Sequence, residues 1–279
     1  MEKPAELRIQ NGLRPVDFER PPVVETVLGV QFAPMEGWSI PHFGLLWSEI
    51  KDRYPRFEVQ PPIGAEVGLR FGRDASDPNK PTVDFGSIPV RCWFFDASEA
   101  TLLQVQSNCF FHNWRKVTGR EQYLHYDKVR PLFREGWLKF LEFLKRHGIE
   151  QPNVFQCEVS YVNHIERGKE WQTFADLASV LPVWSGHHSD EFLPQPEVVS
   201  VNAVYPIADK RGRLQVVMQP AIRQLDSVEI LQLTLTARAK PLSGHIDDIL
   251  ACFDGGHEWV VRGFKSFTSP TMHKVWGLK

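Results

Sequence analysis

The stretch Tyr126–His147, YDKVRPLFREGWLKFLEFLKRH, decides how this chain is organised. Leu132, Phe133, Trp137, Phe140, Leu141 and Leu144 recur at three- and four-residue steps, while Arg134, Glu135, Lys139, Glu142 and Lys145 fall mostly outside that stripe. Such spacing predicts an amphipathic helix, stopped at Gly148. Near the other end, Ile249, Phe253, His257, Val260, Val261, Phe264 and Phe267 recur similarly and predict a closing helix over about His245–Phe267, with Gly255-Gly256 as a weak point in it. Sliding the chain so that Phe133 falls on Phe253 also places Trp137 on His257, Leu144 on Phe264 and Asp127 on Asp247. Phe140 and Leu141 then land on Val260 and Val261, as if one unit were used twice.

Working outward, each half shows the same order of signals. Residues 1–20 are broken by Pro4, Asn11, Gly12 and Pro15 and read as a peripheral arm. After Pro21-Pro22, VVETVLGVQF alternates as a strand does, with Val24, Thr26, Leu28, Val30 and Phe32 on one face. A helix over Ile40–Tyr54 follows, with Pro41 in its first turn. Strands are expected at Glu66–Phe71, Val90–Phe95 and Thr101–Phe111, separated by the turn-rich Gly72–Pro81 and by Asp96–Glu99. In the second half, Val154–Ile165 reads as a strand and Trp171–Leu181 as a helix with Phe174, Leu177, Ala178 and Leu181 inward. Glu197–Tyr205, Arg213–Gln219 and Val228–Arg238 read as strands, ILQLT at 230–234 resembling LLQVQ at 102–106, and the tail keeps Met272, Val275 and Trp276 for docking against the body. The expected fold is α+β: a duplicated β-α-β-β-β-α unit over 21–150 and 151–279, with antiparallel sheets and helices packed on one face, the two units forming one compact body.

Composition narrows function more by exclusion than by assignment. With 32 basic and 34 acidic residues among 279, the formal charge of −2 gives no bulk attraction to nucleic acid or anionic membrane. No run is long enough for a membrane span, and the charged N-terminal stretch lacks an apolar leader core, so a cytoplasmic protein is expected. Cys92, Cys109, Cys157 and Cys252 are far apart, form no CxxC and read as buried thiols. No Gly-rich phosphate loop, HExxH or GxSxG is present, and no cofactor is expected. The 19 Phe, 9 Trp and 5 Tyr favour a large packed or ligand-lined interior.

Several residues stand out as binding candidates. Glu25 is a carboxylate within an apolar strand and needs a partner, for which Arg70, Arg91 and Arg115 are available; Glu158 holds a comparable position in the first strand of the second half. Trp184 stands in a loop with His187, His188 and Asp190, the weak metal-ligand candidates, although adjacent histidines in an extended loop point in opposite directions and no metal is expected. His257, Asp127 and Asp247 are accounted for by packing and by helix-start capping.

The opening Pro21-Pro22-Val23-Val24-Glu25 with Gly29-Val30-Gln31-Phe32, together with the closing Phe264, Phe267-Thr268 and Met272–Trp276, resembles a sporadically distributed family of uncharacterised bacterial proteins. The resemblance covers most of the chain and is sharpest at its two ends. It implies a cytosolic bacterial protein, often carried in mobile or variable gene neighbourhoods, with no assigned catalytic residues to transfer. The expected function is therefore a non-enzymatic component that binds a protein or peptide encoded nearby, through a sheet edge or aromatic groove. An enzyme or small-molecule binder with a polar pocket, and a nucleic-acid-associated defence component, are the alternatives; direct nucleic-acid binding is disfavoured by the charge, and a homodimer is left open.

Overall fold

The computed structural model describes residues 16–64, 90–184, 192–207 and 212–279. Its frame is a nine-stranded sheet in the order β2-β3-β4-β5-β1-β6-β9-β8-β7. The strands are β1 (Val23–Phe32), β2 (Arg56–Gln60), β3 (Arg91–Phe95), β4 (Thr101–Gln106), β5 (Cys109–Arg115), β6 (Val154–Glu166), β7 (Val201–Pro206), β8 (Gly212–Arg223) and β9 (Val228–Ala239). Every neighbouring pair is antiparallel. The alternating VVETVLGVQF segment becomes a central strand: Leu28 sits opposite His112 of β5 on one side and Val159 of β6 on the other. With helices present as well, the architecture is α+β.

The helices are α1 (Ile40–Ile50), α2 (Tyr126–Arg146), α3 (Leu177–Val180), α4 (Ile246–Phe267) and α5 (Pro270–Val275). The stripe that predicts α2 is its packing face: Phe133, Trp137 and Phe140 surround Phe110 of β5, with ring centroids 5.2–5.8 Å away. α4 runs unbroken through Gly255-Gly256, so these glycines are not a weak point. They allow close approach instead: a Cβ on Gly256 would stand 2.9 Å from Cγ2 of Val159. No helix among the described residues is long and apolar enough to cross a membrane.

Some sequence expectations change in the structure. Thr101–Phe111 is not one strand but the hairpin β4-β5, turned at Ser107-Asn108. The turn is held from outside, because the Asn108 and Ser107 carbonyls accept from the Phe32 and Met35 N–H groups, each at 2.9 Å. Gln104 and Gln106 are already polar residues buried within β4, so the polar pair Ser107-Asn108 does not stand out from the strand as a turn. Trp171–Leu181 forms a 3-10 turn, Phe174–Asp176, and the single turn α3. Here the Asp176 carboxylate accepts from the Gln172 and Thr173 N–H groups, which delays the start, and Val180 is buried while Ala178 is exposed. Phe57 and Val59 belong to the edge strand β2, whereas Glu66–Phe71 lies outside the described residues.

The first and last described segments meet. Phe18 forms a bridge with Leu278, and Phe18 and Trp276 both pack on Phe264, at 5.3 and 5.0 Å. Met272 and Trp276 are buried as their apolar character predicts, and Val275 is exposed. All four cysteines are buried free thiols.

Candidate functional site

Side chains alternate across a strand, so the residues beside those that meet the helices must project from the other face. Leu28 and Val30 share one face of β1, and Phe110, opposite Val30, lies on the same face beneath α2. Glu25 of β1, Asn113 of β5, Gln104 of β4 and Arg91 of β3 alternate away from that face. They form a continuous line of hydrogen bonds across four adjacent strands. The Arg91 guanidinium donates to Gln104 Oε1 at 2.9 Å, where Trp93 Nε1 also donates at 2.8 Å. Gln104 Nε2 donates to Asn113 Oδ1 at 2.9 Å, and Asn113 Nδ2 donates to Glu25 Oε1 at 2.6 Å. Each amide is therefore oriented by its neighbours, and a cation stands at one end of the line and a carboxyl at the other.

Burial sets the electrostatics at both ends. It pushes the Glu25 carboxyl above its ordinary value, against the lowering effects of the Asn113 hydrogen bond and of Arg115. It likewise lowers the Arg91 guanidinium. Arg115 faces Glu25 in register, but its guanidinium lies over the Phe95 ring and donates to the Glu99 carbonyl. Glu25 is thus bonded by Asn113, which was not among the expected partners, and Arg91 reaches it only through two amides.

Glu158 is on the same face, opposite Gly29, and pairs at 2.7 Å with Arg238 of β9, both side chains being 13–14% exposed. Arg238 also donates to Gln215 at 3.0 Å, and the Ser160 and Thr236 hydroxyls are 2.8 Å apart. Gly29 is required here: a Cβ would fall 1.8 Å from the Phe111 ring, which covers this glycine.

At the Glu25 end the face opens into a cleft of about 1010 Å³. Glu25, Arg115, Lys116, His164, Arg223 and Gln232 are among its walls. Burial lowers both Lys116 and His164, favouring neutral imidazole at the latter. Arg223 is committed to Glu166 at 2.7 Å and to Asp226 at 2.6 Å.

The structure thus joins Glu25 to Arg91 and puts Glu158 on the same surface. Trp184 does not belong with them: it follows α3, packs partly buried against the hydrophobic core and does not line the cleft. Arg70, His187, His188 and Asp190 lie outside the described residues. Among the described residues, no three His, Cys, Asp or Glu side chains are grouped so as to hold a metal ion. Sequence reasoning missed Asn113, because Asn113–Arg115 read as a connection after the strand, and Arg238, whose strand was recognised but not its neighbour. The signal for Gln104 was present in the shared face of Leu102, Gln104 and Gln106.

Comparison with known proteins finds no family model that matches this chain and no curated protein that matches it.

Proposed function

We propose that the chain is a non-enzymatic binding component of a bacterial cytosolic system. It receives a peptide segment of a partner protein in the cleft at the Glu25 end of the sheet. The observation that carries this reading is the polarised line from Arg91 to Glu25, which ends in a carboxyl whose ionisation is opposed by burial, at the wall of a cleft of about 1010 Å³. A lysine, arginine or amino-terminal group of the peptide completes the pairing of Glu25, while the mixed charges around it form a polar rim.

Selection of peptides from a random library on the purified chain tests this. Peptides with a basic group are expected to be enriched and to lose affinity for Glu25→Gln. Peptides bound equally well by that variant would sink the assignment. Failure of all peptides, with turnover of a metabolite by the purified chain, would favour the enzymatic alternative.

The same proposal includes membership of the resembled bacterial family and descent from a duplicated unit with its long helices on one face. β1 and β6 pair at the centre, and β5 and β9, each the last strand of its half, flank them. α2 packs on β1 and β5, and α4 on β6, β9 and β8. The LLQVQ and ILQLT segments do not correspond by position, since β4 is second from β1 while β9 is next to β6. A circular permutant beginning at Gln151 is expected to fold, because equivalent halves and the contact of the segment at Phe18 with that at Leu278 tolerate the exchange. A permutant without cooperative unfolding would count against the duplication.

A further inference from the structure

A second cavity, of about 370 Å³, lies on the helix side of β6, between α4 and the start of α2. Its aromatic walls are Phe18, Tyr123, Tyr126, Tyr161, His257 and Phe264. Tyr126 and His257 stack with centroids 4.1 Å apart and planes 5° from parallel. The stack is held from behind: the Tyr126 hydroxyl donates to Asp254 at 2.7 Å, and Arg130 grips the same carboxylate with two bonds of 2.7 and 2.9 Å. His257 Nδ1 is 3.0 Å from the Tyr161 hydroxyl, and burial lowers this imidazole to about 4, so it is neutral near pH 7. This is a preformed, rigid aromatic slot.

Its polar feature is Asn163, which is 1% exposed. The amide is oriented without ambiguity, because Nδ2 donates to two backbone carbonyls, Leu233 O at 2.9 Å and Tyr161 O at 3.4 Å. That leaves Oδ1 as the acceptor, and Oδ1 has no hydrogen-bond partner. A buried acceptor left unmade costs free energy that a donor would recover. Asp17 and Asp127 are also on the walls, and no Lys or Arg is among the described lining residues, so anionic groups are disfavoured.

We infer that this cavity is a binding site for a flat, uncharged heteroaromatic group carrying an N–H donor, which slots between the aromatic walls and donates to Asn163 Oδ1. A free indole-type molecule and the tryptophan side chain of a peptide share this chemistry. The site is a separate cavity that adjoins the peptide cleft, Pro21, Tyr123 and His125 lining both.

Calorimetric titration of the full chain with indole and with benzofuran, which has the same shape but no N–H, provides the test. Indole is expected to bind at one site about tenfold more tightly than benzofuran, the difference a single buried acceptor confers. Asn163→Leu is expected to erase that preference. Since this buried substitution risks misfolding, Val261→Trp, at a half-buried position on the wall, is the second variant and is expected to fill the slot and abolish indole binding. N-acetyltryptophanamide distinguishes the sources: tighter binding than indole points to a peptide side chain, weaker binding to a free molecule. Equal affinities for indole and benzofuran, no binding of either to the folded chain, or undiminished indole binding by a folded Val261→Trp variant would overturn the inference.

Discussion

The rings of Phe133 and Phe253 meet edge to face, with centroids 4.7 Å apart and planes at 88°. Both side chains are fully buried, and they join α2 to α4 over the centre of the sheet. Truncating either to alanine is expected to cost about 3–5 kcal/mol of stability. The double variant is expected to lose about 0.5–1.5 kcal/mol less than the sum, the coupling that belongs to the aromatic pair. Urea unfolding of the four proteins measures it, and strict additivity would show that each ring acts on its own neighbours alone.

Glu25→Gln is expected to separate stability from binding. The folded-state carboxyl is raised, so the folded protein favours the protonated form, and stability falls as pH rises through the carboxylate range. A glutamine keeps an oxygen for Asn113 Nδ2 and removes the buried charge. Its urea midpoint should exceed that of the parent at pH 7 and converge with it at low pH, while affinity for basic peptides is lost. A midpoint below the parent's at pH 7 would mean that the charge is stabilised by a contact beyond Asn113 and Arg115.

His112 should contribute acid sensitivity. It is 0% exposed, neither ring nitrogen has a hydrogen-bond partner, and burial lowers the imidazole from 6.5 to about 4. The folded state therefore binds fewer protons than the unfolded chain in that window, and stability is lost as pH falls from about 6.5 towards 4. The linked loss amounts to about 3 kcal/mol by pH 4. His112→Leu should remove this share of the pH slope and leave stability at pH 7 unchanged or higher, as followed by urea midpoints between pH 4 and pH 7. His257, also lowered to about 4, supplies the slope that persists in the variant.

Gly29→Ala should destabilise by about 1–3 kcal/mol, the usual penalty of overpacking, because the added methyl collides with the Phe111 ring. Adding Phe111→Ala should make the methyl harmless: Gly29→Ala should cost much less in that background than alone. Thermal unfolding of the two singles and the double measures the difference, and an unchanged cost would place the strain in the β1 backbone instead.

Local signals made much of the scaffold legible. The stripe of Phe133, Trp137, Phe140 and Leu144 marks α2 because the 3.6-residue period survives in a helix covered on one side. Pro21-Pro22 and the alternation after it mark β1 for the corresponding reason in a strand. The turn at Ser107-Asn108 was hidden, since β4 itself carries the buried polar residues Gln104 and Gln106, beside which a Ser-Asn pair does not mark where the chain reverses. Trp171–Leu181 misled because helical spacing of a few apolar residues does not outweigh a local cap such as Asp176.

By itself the sequence determined the two long helices, the central strand and the presence of unusual carboxylates at Glu25 and Glu158, because these depend on residues within one or two turns of each other. Only the tertiary structure decided what those carboxylates meet. Asn113 is 88 positions from Glu25, and Arg238 is 80 from Glu158. Pairing of that kind is set by strand order and register, which arise when nine strands bury their apolar rows together. The slot beside Asn163 has the same origin: its walls come from both helices, the sheet and the arm, and no local pattern brings them together.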